Sequence, residues 1–395
     1  MNLLMGKYCR PIRKRFVIFS MYSFIIVACL NCTEPLILKN MSYDKPGIFM
    51  FGKTPQRTFY ADTTIGNIVE KWSAETSGSQ TNSSIVIYNN AIFLYDLSGK
   101  IFGFDRITGK LIGYEKYGGS ILTAPVINHL RIFFVVNEST EKYSTFNVYD
   151  FINGKILHSE TFEGGVPNEM LKLNDGIVLL TDRGELIKFN FVGTKLWSTK
   201  TKTTALSSPA VSGDLIVFGN QSGGLYLVSD VDGTIKSKIE FPHAVTSGIT
   251  TENSNVFFCD QVGIVYSFNV KNEKINWSFD TGAKILSTPV LDESKLYIGN
   301  LLGEIFALSK DDGQKIWQIN TKEMINTTPL ITKNILVQPD VNKKVLFIDV
   351  ASGKIEKTIT FDRRSTMNPV FYDGMLYLGC DRGILNAYKV EGEEK

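Results

Sequence analysis

One feature constrains this chain more than any other: a unit repeated about every forty residues. In its clearest copy, Ser287-Thr288-Pro289-Val290-Leu291 is followed by runs at 295–300, 303–308 and 311–317. The four runs are rich in Val, Ile, Leu, Tyr and Phe and are separated by Asp, Asn and Gly, the pattern of strands joined by tight hairpins. The glycine of the last turn recurs at Gly109, Gly154, Gly193, Gly233, Gly313 and Gly353. With Asn272-Glu273 in the missing place, the steps are 45, 39, 40, 40, 40 and 40 residues. Glycine suits a turn that needs positive φ. Four residues after it stand Trp197, Trp277 and Trp317, or Gly113, His158, Ser237 and Lys357, and Trp72 opens the series. A second landmark, usually Ser or Thr before Pro, falls at Pro125, Pro167, Pro209, Pro289, Pro329 and Pro369, with Ser84 and Gly248 in the remaining places. Both series give eight copies.

A four-stranded antiparallel unit cannot bury both of its faces alone. Several arranged radially bury each sheet against the next and leave only short edges, which predicts an all-β, eight-bladed β-propeller. The last copy ends near Tyr388 with three strands, while residues 67–72 form a fourth strand with no unit before it. The N-terminal strand is therefore expected to complete the eighth blade and close the ring; an open solenoid would expose two edges prone to aggregation. All four tryptophans fall at one repeat position, which points to filling the wedge between adjacent blades. A single stacking site for a ligand would not need Trp in four blades.

The N-terminus reads as an address. Residues 1–28 hold five basic side chains and no acids, and Phe16–Ala28 is a thirteen-residue, mostly apolar run. About 20 residues are needed to span a bilayer, so this run fits the core of a signal peptide. It stops at Ile26-Val27-Ala28-Cys29, which resembles the bacterial lipobox, with Cys29 as the acylated residue and new N-terminus. Cys32 is a second candidate that lacks the small residue before it. Leu30, rather than Asp, follows Cys29 and favours the outer membrane. The expected organisation is a signal peptide over 1–28, a lipidated tether over 29–56 partly ordered against the body, a propeller over 57–390 and a tail over 391–395. Beyond residue 28, 37 basic side chains face 40 acidic ones, too balanced for nucleic acid as a main partner.

The recurring Gly-x-x-φ-Trp pattern (φ apolar), as in Asp312-Gly313-Gln314-Lys315-Ile316-Trp317, resembles the tryptophan-docking repeats of quinoprotein (PQQ-type) β-propellers over about residues 57–390. With a lipobox in front, it most resembles the BamB family, the propeller lipoproteins of the outer-membrane β-barrel assembly machinery. That resemblance implies a non-catalytic, periplasm-facing scaffold with no cofactor, whose partners are a barrel-assembly outer-membrane protein and nascent β-barrel chains. In that family a mid-chain loop carries a partner contact rich in leucine and arginine; the loop here, residues 201–206, offers Leu206 and no Arg. A quinoprotein-type enzyme and a surface-exposed adhesin or sensor are the alternatives. The enzymes carry adjacent cysteines, a Trp floor and carboxylate and Asn ligands for calcium, and no adjacent cysteines occur here.

Little else suggests chemistry. Phosphate-loop, Gly-x-Ser-x-Gly and His-Glu-x-x-His motifs are absent. The spacing of His129, His158 and His243 suits no metal site. The acidic turns at Asp230-Val231-Asp232 and Asp311-Asp312 reflect the preference of Asp for turns rather than a calcium loop. Cys259 and Cys380, three blades apart, read as buried small hydrophobes beyond disulfide reach. The 45-residue step places about five extra residues near Asn137–Lys142, a longer surface hairpin.

Overall fold

The computed structural model describes residues 35–39, 45–140 and 142–391. They form eight antiparallel sheets, seven of four strands and one of five. Each sheet is one repeat. In the sixth blade the strands are Val290–Leu291, Lys295–Gly299, Glu304–Ser309 and Lys315–Asn320. First strands of neighbouring blades touch around the centre. Second and third strands are almost continuously buried, whereas outer strands such as Lys315–Asn320 alternate exposed and covered residues. That gradient follows from radial stacking: the middle strands lie between two sheets and the outer strand meets solvent at the rim.

The ring closes as expected. Ile68–Glu75 pairs antiparallel with Ile384–Val390, so the eighth blade takes its outer strand from the N-terminal side of the propeller. One difference concerns the Ser/Thr-Pro landmark. In most blades the proline directly precedes the first strand, but Pro167 stands four residues before Leu171–Lys172. The place matching Pro209 belongs to Met170, because the connection into blade three is longer. The extra residues near 137–142 lengthen the hairpin between Arg131–Asn137 and Tyr143–Asp150 in blade two.

Within the segment read as a tether, residues 35–39 and 45–56 both pack on the ring. Gly47–Ile48 adds a fifth strand to blade one through Gly47↔Tyr88 and Ile48↔Ile87. The chain then crosses the central channel. Main-chain bonds join Ile127 N–H to Phe49 O (2.8 Å), Val211 N–H to Pro55 O (2.9 Å), Thr251 N–H to Gln56 O (3.0 Å) and Ile331 N–H to Phe59 O (3.1 Å). Extended backbone carries unpaired donors and acceptors, and the first strands of blades two, four, five and seven supply their partners. These contacts lie near the turns between first and second strands, so residues 47–61 fill the channel from that face, called here the lower face. The connections between blades, and the turns between second and third strands, define the upper face.

Candidate functional site

At the upper end of the channel one residue from each blade, just before the first strand, forms a ring: Ser84, Ala124, Glu169, Ser208, Gly248, Thr288, Thr328 and Asn368. Where side chains allow, the main-chain N–H of one member donates to the side chain of the next. Glu169 N–H reaches Ser208 Oγ at 3.0 Å, Thr288 N–H reaches Thr328 Oγ1 at 3.0 Å, and Thr328 N–H reaches Asn368 Oδ1 at 2.9 Å. Glu169 is the one acid among them. Its Oε2 accepts from Ala124 N–H at 2.9 Å and its Oε1 from the Ser83 hydroxyl. Burial lifts its carboxyl from 4.5 to about 7, against the Ser83 hydrogen bond, the Arg57 charge and the Ala124 N–H.

Arg57, fully buried at the centre of the channel segment, lies beneath this ring. Its guanidinium donates to Phe51 O (2.6 Å), Glu169 O (2.9 Å), Met170 O (3.1 Å) and Pro209 O (3.1 Å). Burial lowers its pKa to about 10, opposed by the Glu169 carboxylate. A buried cation is tolerable only when its donors are matched, and four carbonyl oxygens do so here.

Above the ring opens a funnel of about 330 Å³, floored by Phe51 and Glu169. Its mouth is formed two residues before each ring member and is uneven. Leu122, Pro167 and Leu206 make a continuous apolar arc over blades two to four, and Leu286 adds blade six; Asn82 and Asn326 are polar. Leu206 is 40% and Leu286 41% exposed. The Leu206 singled out in the sequence thus sits in an apolar arc that the misplaced Pro167 had concealed. Glu169 was missed for the same reason: aligning Pro167 with Pro209 hides the one acid in a series of Ser, Thr, Gly and Asn.

The repeated glycines and tryptophans meet at the blade junctions. A Cβ on Gly109, Gly233 or Gly313 would stand 2.6 Å from the ring of Trp72, Trp197 or Trp277, and one on Gly353 2.8 Å from Trp317. Each indole N–H donates to the carbonyl three residues before that glycine: Arg106, Asp230, Lys310 and Val350, at 2.9–3.3 Å. His158 sets its imidazole against Gly193, and Gly154 receives Ile37 from the N-terminal segment instead of a blade residue. Cys29 and the signal-peptide reading lie outside the described residues. Cys259 and Cys380 are free thiols.

This architecture defines an eight-bladed, PQQ-like β-propeller. Residues 229–393 match the family described as outer membrane protein assembly factor BamB. BamB of Yersinia pestis is 24% identical over 234 residues, covering 51% of this chain and 59% of that protein. BamB from Moraxella catarrhalis superimposes with a TM-score of 0.71 at 11% identity, over 82% of this chain and all of the other. A europium-containing methanol dehydrogenase superimposes with a TM-score of 0.74 at 9% identity, over 85% of this chain and 90% of that one. The alignments span 38% to 59% of the length of the curated relatives matched. The same ring is thus found in an assembly factor and in quinoprotein dehydrogenases.

The funnel does not fit a quinone cofactor with calcium. Arg57 is committed to four carbonyls, and both Glu169 oxygens accept bonds from within the ring. All four tryptophans lie at blade junctions rather than under the funnel. Among the described residues no three His, Cys, Asp or Glu side chains cluster as metal ligands.

Proposed function

We propose that this protein is a non-catalytic scaffold of outer-membrane β-barrel assembly, anchored by lipid on Cys29 and facing the periplasm. The observation that carries the proposal is the apolar arc Leu122–Pro167–Leu206 at the open mouth of a ring whose other mouth is crossed by its own chain. Half-buried Leu122 beside exposed Pro167 and Leu206 makes an apolar patch with a polar surround on one rim of a rigid platform, the kind of surface that marks a protein contact. The similarity to BamB supplies the partner class, a barrel-assembly outer-membrane protein with nascent barrel strands as a second ligand. Outer strands present unpaired main-chain groups to which an extended segment could add.

The test is Leu122→Glu with Leu206→Glu in the full-length lipoprotein, followed by crosslinking and purification from gently solubilised membranes. Recovery of the barrel-assembly protein should fall while the ring's melting transition is kept. Undiminished recovery with both substitutions would dispose of this rim as the contact. A paired change on the lower face, Val231→Glu with Ile107→Glu, serves as the control and should leave recovery unchanged.

A further inference from the structure

The junction between blades one and two is built differently from the other glycine–aromatic junctions. Its docking residue is Gly113, so no blade side chain can reach Gly154. The N-terminal segment takes the place instead. The Ile37 side chain lies against Gly154, where a Cβ would be 2.7 Å from Cγ1, and Leu38 N–H donates to Phe151 O at 2.7 Å. Phe151 precedes Gly154 by three residues, so its carbonyl is the acceptor that an indole N–H takes at the tryptophan junctions. Leu36 and Leu38 are buried, and Leu36 O accepts from the Tyr149 hydroxyl at 2.9 Å. This is a specific dock, made by a short strap inserted into a vacant slot.

We propose that the strap turns the flank formed by the outer strands of blades one and two toward the lipid surface. The inference rests on the reading of Cys29 as the lipidated residue. Six peptide steps join Cys29 to Pro35, and at full extension they span about 22 Å. A chain pinned at Leu36–Leu38, seven steps from Cys29, therefore keeps the slot on this flank within about 25 Å of the acylated cysteine and sets the opposite side of the ring, blades five and six, farther off. Exposed Leu111, Ile156 and Leu157 stand on the flank, with Lys110 and Lys155 beside them, a mixture compatible with a headgroup region. Composition alone does not select it, since Ile275 occupies the position of Ile156 on blade five and is equally aliphatic. The tether selects it.

The test uses the full-length lipoprotein in a Cys32→Ser background, reconstituted in vesicles of phosphatidylethanolamine with a minor share of phosphatidylglycerol. A fluorophore is attached at Ile156→Cys or, separately, at Ile275→Cys, and the vesicles carry a headgroup spin label. The expected result is loss of fluorescence at Ile156→Cys and none at Ile275→Cys. Adding Ile37→Asp should abolish that difference while vesicle binding persists and the ring still melts cooperatively, at a lower midpoint. Mass spectrometry of the N-terminal peptide reads the anchor separately. Equal quenching at both sites with acylated Cys29 would refute the flank orientation and leave the anchor standing. An N-terminal peptide without acyl chains would overturn the anchor reading and this inference with it.

Discussion

Replacing Glu169 by Gln should change how stability responds to pH. Glu169 is only 7% exposed, and burial raises its carboxyl from 4.5 to about 7. The native state then holds a proton more tightly than the unfolded chain between those two values. Stability must fall as pH rises through that window, because the unfolded state binds fewer protons there than the native state. Lifting a carboxyl from 4.5 to about 7 corresponds to about 3 kcal/mol, present in full below pH 4.5 and lost above pH 7. Glu169→Gln keeps an acceptor for Ala124 N–H and can donate toward Ser83, while removing the charge. At pH 8 the variant should therefore be more stable than the parent by up to about 3 kcal/mol, and near pH 4 the two should be close. Urea unfolding at pH 4.5, 6 and 8, followed by tryptophan fluorescence, reads the difference directly. Parallel pH dependences for the two proteins would refute the argument. The Arg57 charge would then hold Glu169 ionised at ordinary pH, and the ring would tolerate that ion at no cost.

Two further outcomes follow from other parts of the ring. Trp317→Ala removes a buried indole that packs on Gly353 and Tyr297 and donates to Val350 O; unfolding by urea should show a loss of about 3–5 kcal/mol. A loss under 1 kcal/mol would mean that the blades pack without it. Burial pushes the Cys380 thiol up to about 11 and raises that of Cys259 still further, so neither should react with maleimide at pH 8 until the protein is unfolded.

Repeat number, strand order and ring closure were legible because each depends on a local pattern reiterated eight times. A glycine at a left-handed turn and an aliphatic run of fixed spacing carry the same meaning in every copy. What the sequence concealed lies where a copy departs from its siblings. Pro167 resembles the landmark proline but sits in a longer connection, so the register of blade three slipped and Glu169 lost its place in the ring. Gly113 was visible as an exception to the tryptophan series, yet nothing local says that Ile37, 76 positions earlier, fills the gap. Residues 47–61 were harder still. Their period is irregular because they follow the curve of the channel, pairing with a different blade every few residues, and irregular pairing leaves no alternation to detect.

The N-terminal segment and the closing strand act on the same problem from two sides. Ring closure by Ile68–Glu75 ties blade eight to one, but a noncovalent closure can open wherever a junction is weak. Gly113 makes the junction of blades one and two weak by itself, and the strap docks there. Downstream, the same segment bonds to the first strands of blades one, two, four, five and seven before it enters blade eight. One continuous stretch therefore bridges a junction that lacks an aromatic dock, spans the channel and supplies the closing strand. Unseating the strap would expose Gly154 and leave Tyr149 and Glu115 to water. In doing this the segment occupies much of the lower mouth, where a pocket of about 300 Å³ remains beside Thr58 and Tyr60, while the apolar arc on blades two to four lies at the upper mouth. That arc lies on the upper face, whereas the strap docks at the lower-face turn of Gly154, so the segment that stabilises the fold leaves the arc uncovered.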